Sequence, residues 1–133
     1  MDRVLVEGEF AEGAYGPTIL LRTSSHEGAE LLRSIFERMA QGEPGMILSL
    51  EEQAGVALSA SLWALRLIRV PTAQPKRLSR DGDGGFTWVG NQEEWETTAL
   101  LVGPLTQHTG HQYLTSEQVD DALIEVSQGE VLQ

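Results

Sequence analysis

Residues 18–50 read TILLRTSSHEGAELLRSIFERMAQGEPGMILSL, and this stretch decides the fold. Thr18–Arg22 is a short apolar run, which predicts a strand. Ser24-Ser25-His26-Glu27 has the form of a capping box: the Ser24 hydroxyl can accept from the backbone three residues on, and Glu27 can reach back. The helix should then run from about Ser25 to Gln41. Its apolar residues Leu31, Leu32, Ile35, Phe36 and Met39 are spaced one, three, one and three, which makes a single helical face. Glu30, Arg33, Glu37 and Arg38 lie off that face and should be solvated. Gly42-Glu43-Pro44-Gly45 ends the helix, and Met46–Leu50 returns as a strand.

Working outward, Val4–Phe10 alternates, with Val4, Val6 and Gly8 on one side, and reads as a first strand near an edge. Gly13, Gly16 and Pro17 mark a turn after it. Val56–Val70 reads as a strand ending at Pro71, buried on both faces for much of its length; a helix over Leu50–Trp63 is the alternative. Arg77–Arg80, then Asp81-Gly82-Asp83-Gly84-Gly85, then Phe86–Val89 predicts a hairpin, because Asp-Gly pairs supply the positive φ that tight turns need. Phe86 and Trp88 would share a face. Asn91 and Glu94 repeat the capping signature. The helix after them should turn Trp95, Ala99 and Val102 inward and stop or kink at Gly103-Pro104. His111–Thr115 and Ala122–Ser127 read as closing strands joined by Ser116–Asp121.

Phe86–Leu114 therefore repeats the order of Thr18–Leu50: strand, cap, helix, glycine break, strand. A shift of 67 residues places Glu27 on Glu94, Leu32 on Ala99 and Ile35 on Val102. Two βαβ-like halves, around 18–50 and 86–127, would share a sheet; coincidence of common caps and periods is the competing and favoured explanation. The expectation is one α+β domain over residues 1–133. It would be a two-layer sandwich with a mostly antiparallel sheet and two helices on one face.

The 133 residues carry 9 Lys+Arg against 20 Asp+Glu, a net charge of −11, with 41% hydrophobic residues and no cysteine. That is an ordinary globular composition with an anomalous charge. Lack of cysteine excludes disulfide frameworks, zinc ribbons, thiol catalysis and iron–sulfur ligation. An acidic start, MDRVLVEGEF, does not look like a signal peptide, and no stretch is apolar enough to cross a bilayer. A cytoplasmic location is expected. The charge is unevenly laid out. Residues 1–45 hold eight acids and four bases, residues 46–80 two acids and five bases, and residues 81–133 ten acids and no Lys or Arg. Unless the fold lays Arg66–Arg80 across it, the C-terminal region should present a negative field. Such a field repels nucleic acid and anionic membrane and attracts basic proteins; plain solubility is the competing explanation.

Candidate chemistry is sparse. Asp81–Gly85 resembles the start of a calcium loop, but the positions that should carry ligands at five and twelve are Gly85 and Gln92, so a turn is favoured. His108 and His111 have the H-x-x-H spacing of a metal pair, but Gly110 intervenes and no acid follows suitably, so surface or capping roles are favoured and no metal or cofactor is expected. No nucleophile elbow surrounds Ser24, Ser25, Ser59 or Ser61. Glu93, Glu94 and Glu96 sit on an exposed first turn, where carboxylates stay ionised. Trp88 and Trp95 read as core.

Trp88-Val-Gly-Asn-Gln-Glu-Glu-Trp95, Gly110-His-Gln-Tyr-Leu114 and Asp120-Asp-Ala-Leu-Ile-Glu-Val-Ser-Gln-Gly-Glu130 carry a resemblance. This last third resembles a group of small uncharacterised bacterial proteins with a Gly-His-Gln-Tyr-Leu block and a terminal Glu-Val-Ser-x-Gly-Glu strand. Some of that group resemble immunity proteins of polymorphic toxin systems. The resemblance implies no catalytic residues. The expected function is a non-enzymatic acidic binding protein, an immunity-like inhibitor of a basic bacterial toxin or nuclease. Glu93, Glu94, Glu96, Glu117, Asp120 and Asp121 are the expected partner-binding residues. A self-associating interaction protein, with Arg66–Arg80 of one copy on the acidic region of another, is the alternative, and a small enzyme is less favoured. Neither nucleic acid nor membrane is an expected partner; a homodimer is compatible with the sequence.

Overall fold

A computed structural model describes residues 3–13, 16–115 and 119–129. The N-terminal strand β1 (Val6–Gly13) pairs antiparallel with β2 (Gly16–Thr23), which leads into helix α1 (His26–Gln41). After Gly42–Gly45 come β3 (Ile47–Ser49), a 3₁₀ turn over Leu50–Glu52, β4 (Val56–Leu58), a 3₁₀ turn over Ala60–Leu62, and β5 (Leu65–Arg69). The second half contains β6 (Leu78–Arg80), β7 (Phe86–Gly90), α2 (Gln92–Val102), a 3₁₀ turn over Gly103–Thr106, β8 (Gly110–Tyr113) and β9 (Leu123–Gln128).

This is the expected α+β fold, but its strands form two mixed sheets rather than one mostly antiparallel sheet. One sheet runs β4-β1-β2-β9-β8 and the other β3-β5-β7-β6. Parallel pairs β1/β4, β2/β9 and β5/β7 alternate with antiparallel neighbours. The two strand–helix–strand segments consequently do not share a sheet. β2–α1–β3 starts in the five-stranded sheet and ends in the four-stranded one, and β7–α2–β8 makes the reverse crossing. α1 touches β1, β2 and β9 of one sheet and β5 of the other, while α2 packs on α1 and β7.

The predicted inward face of α1 is buried at Leu32, Ile35, Phe36 and Met39, with Leu31 partly buried at its margin. Trp95, Ala99 and Val102 of α2 are buried as expected, and so are Phe86 and Trp88 of β7. Phe36, Trp88 and Trp95 meet at the centre, with ring centroids 4.9–6.0 Å apart. Aromatic pairs at such spacing add about 0.5–1.5 kcal/mol beyond their burial. Phe10 of β1 meets Phe86 of β7 at 5.3 Å, which joins the two sheets directly.

β1 lies near an edge as expected, second in its sheet: the short edge strand β4 pairs with Val6–Gly8, and the Phe10 N–H donates to the Ser61 hydroxyl further along. Two expectations are corrected. Val56–Val70 is neither one strand nor part of a helix, because the turn at Ala60–Leu62 buries Leu62 and splits the segment between the two sheets. The box at Ser24–Glu27 does not form. Ser25 is the cap and makes no side-chain bond to the helix. Gly28 stands three residues on, where a Glu would be needed. A Cβ there would lie 2.4 Å from the Leu5 carbonyl oxygen, so close packing of the helix start on the chain before β1 sets the register.

Candidate functional site

The capping box at α2 forms completely. The Glu94 N–H donates to Asn91 Oδ1 at 2.9 Å, and the Asn91 N–H donates to Glu94 Oε1 at 2.9 Å. The other Glu94 oxygen lies 3.4 Å from Arg77 Nε. The Arg77 guanidinium also donates to the Val89 carbonyl at 3.0 Å and lies 5.3 Å from the Trp95 ring centre. Burial lowers its pKa, opposed by the charges of Glu94 and then Asp120. Glu94 is therefore a structural residue as well as a surface one. Glu93 and Glu96 are exposed, and neither has a Lys, Arg or His nitrogen within 4.0 Å among the described residues. Glu96 accepts only from Gln92, at 3.3 Å among the described contacts.

Asp120 and Asp121 are also committed within the fold. Asp120 Oδ1 accepts from the Arg77 and Leu78 N–H groups at 2.7 and 2.9 Å. Asp121 Oδ2 accepts from the Arg80 N–H at 2.8 Å, its other oxygen pairs with Lys76 Nζ, and its own N–H donates to the Leu78 carbonyl at 3.0 Å. These bonds fasten the edge strand β6 to the loop before β9. The Lys76 bond, then the Arg80 N–H, lower the Asp121 pKa. Glu117 lies outside the described residues. Of the predicted partner-binding acids, Glu93 and Glu96 thus stand together on the outer side of α2, while Glu94, Asp120 and Asp121 hold the basic segment.

The fold does lay Arg66–Arg80 across the acidic region. Arg66 reaches Asp81 at 3.6 Å and Asp83 at 3.8 Å, and Lys76 and Arg77 pair as described. Arg80 lies over the Phe10 ring at 4.7 Å. Ion pairs leave the net charge unchanged, so the molecule stays strongly acidic while much of its local contrast is spent internally.

The Asp81–Gly85 segment is the expected hairpin turn. Asp81 carboxylate oxygens accept from the Thr87 hydroxyl at 2.9–3.0 Å, and Asp83 Oδ1 accepts from the Gly85 N–H at 2.9 Å. His111 packs edge-on against Tyr113 on β8, and His108 lies in the loop before it. His26 Nδ1 lies 3.4 Å from the Leu105 oxygen and 3.3 Å from Gln128 Nε2. Among the described residues, no three His, Cys, Asp or Glu side chains gather as a metal ion would require. Ser59 and Ser61 share a 2.7 Å hydrogen bond without a histidine partner among the described bonds.

Between α1 and α2 runs a groove of about 480 Å³, walled by Arg33, Glu37, Glu96, Ala99 and Leu100. Leu100 is 76% exposed. Leu100 is not among the inward positions Trp95, Ala99 and Val102 that the helical spacing singles out. Its phase relative to Trp95 and Ala99 does place it outside. Arg69 counts in the sequence as one of the five bases of residues 46–80; its place in phase with Leu65 and Leu67 is the signal that its side chain turns inward. No family model, no curated protein and no solved structure matches the chain. Among the described residues no helix is long and apolar enough to cross a membrane.

Proposed function

We propose that the protein is a non-enzymatic acidic binding protein, an immunity-like inhibitor of a basic bacterial toxin or nuclease acting in the cytoplasm. One observation carries this reading: Glu93 and Glu96 stand unpaired by any described cation on the outer side of α2, and Glu96 lines the same groove as the exposed Leu100. An apolar anchor with carboxylates beside it suits a basic partner surface. The carboxylates speed encounter and orient the partner, and the apolar contact slows release. Self-association through Arg66–Arg80 is less favoured, because Arg66, Lys76 and Arg77 already pair within the chain.

The test is capture of partners on the immobilised full-length chain from lysate of the source organism, at low and at high salt. One stoichiometric basic protein is expected at low salt, weakened at high salt and lost with the E93K/E96K variant. Retention of that protein by the charge-reversed variant would sink the reading, as would recovery of the chain alone. A retained partner should then be assayed for toxicity or nuclease activity with and without the protein; undiminished activity would refute the inhibitor role.

A further inference from the structure

Arg69 closes β5 and is only 8% exposed. Its Nη1 donates to the Val70 carbonyl at 2.6 Å, and its Nε is enclosed with no partner. No carboxylate lies within 4.0 Å of it among the described residues. A buried guanidinium normally has an anion beside it, because an uncompensated charge is costly to desolvate. Its remaining nitrogen, Nη2, is neither bonded nor enclosed among the described contacts, and Arg69 lines an open cleft of about 510 Å³ with Pro71, Asn91, Gln92, Glu93 and Glu96.

The facing wall is the first turn of α2. The capping box satisfies the Asn91 and Glu94 N–H groups, and the Trp95 N–H bonds to the Asn91 carbonyl. The helix leaves the N–H groups of Gln92 and Glu93 without an intrahelical acceptor. Such N–H groups favour an anion. Glu93 and Glu96 line the same cleft, however, and neither pairs with Arg69. A bare anion would be attracted by one part of this wall and repelled by another. A carboxylate carried close to a cationic group would satisfy both.

We propose that this cleft binds a zwitterion of that kind. Its carboxylate would lie on Arg69 and the free α2 N–H groups, and its ammonium or guanidinium on Glu93 and Glu96. A free basic amino acid and the C-terminal lysine or arginine of a peptide share this chemistry. The proposal does not depend on the protein partner, since it concerns a small ligand and is tested with one.

The experiment is an NMR titration of the full-length chain, following the Gln92 and Glu93 amides and the Arg69 Nε–H. The probes are L-lysine, Nα-acetyl-L-lysine, lysinamide and acetate. Saturable shifts are expected for at least one of the first two, with Kd on the order of 1 mM. Lysinamide and acetate should bind at least about tenfold more weakly, since each reaches only one half of the site. Binding of Nα-acetyl-L-lysine identifies a peptide terminus as the source, and binding of L-lysine alone a free amino acid. The exposed E93Q/E96Q variant should weaken the zwitterion and strengthen acetate, and R69M should lose both. Absence of saturable shifts with either zwitterion overturns the proposal. So does acetate or lysinamide binding as tightly as the zwitterions, or E93Q/E96Q leaving the preference unchanged.

Discussion

Replacing Asp120 by alanine separates the fold's use of its acids from any use by a partner. The substitution removes the acceptor for two backbone donors, Arg77 N–H at 2.7 Å and Leu78 N–H at 2.9 Å. Hydrogen bonds to a charged group contribute roughly 1.5–3 kcal/mol each. Asp120 is half-buried, so water can replace part of this. Asp120 also supports the charge of the half-buried Arg77 guanidinium, which would be left with Glu94. The expected loss is about 2–3 kcal/mol, with Tm lower by roughly 8–12 °C for a domain of this size. Asp120→Asn keeps an acceptor but no charge and should lose about 1 kcal/mol. Urea denaturation at fixed pH reads both, and an unchanged m-value confirms that the same folded state is being compared. The E93A/E96A variant is the control and should stay within about 0.5 kcal/mol of the parent. If D120A also stays within about 0.5 kcal/mol, β6 does not depend on this carboxylate and the division between structural and available acids is wrong.

The lowered pKa of Asp121 sets a pH dependence. Because the folded value lies below the ordinary 3.8, the unfolded chain takes up this proton first as pH falls. The stabilisation is full above 3.8 and is lost as pH drops through the folded value, so the stability gap between the parent and D121N should shrink over that window; a gap that widens there would refute the assignment. Gly28→Ala should destabilise despite alanine's helix preference of about 1 kcal/mol, because overpacking costs about 1–3 kcal/mol and the atom in the way is the Leu5 carbonyl oxygen, 2.4 Å from the new Cβ. A higher Tm for G28A would show that the start of α1 can move off this segment. Asn91→Ala opens the capping box and should cost about 1 kcal/mol by thermal or urea denaturation; an unchanged midpoint would mean that the box adds nothing to α2.

Periodicity was enough to find both helices and their inward faces, and the Asp-Gly turn residues were enough to find the hairpin at Asp81–Gly85. These are local features, decided by residues a few positions apart. It could not find the sheets. β2 lies beside β9 with Ile19 opposite Ile124, and alternation identifies such strands without identifying their neighbours. The two capping boxes mark the same boundary. Asn91 and Glu94 close theirs while the second Glu94 oxygen reaches Arg77, whereas tertiary contact at Gly28 shifts α1 by one residue and leaves Glu27 near Arg3 at 3.5 Å instead.

The candidate site was half legible for a related reason. Composition reports the sum of the charges, and pairing leaves that sum untouched. A net charge of −11 therefore keeps its long-range pull on a basic partner whichever carboxylates are paired. Contact at close range is different, because a carboxylate already accepting from two backbone N–H groups has little left to offer. Glu93 and Asp120 look equivalent in the sequence and differ entirely in this respect. Arg69 is the converse case: one cation among strand residues attracts no notice in a charge count, yet it is buried with no carboxylate within 4.0 Å among the described residues, which is the condition an anionic group would relieve.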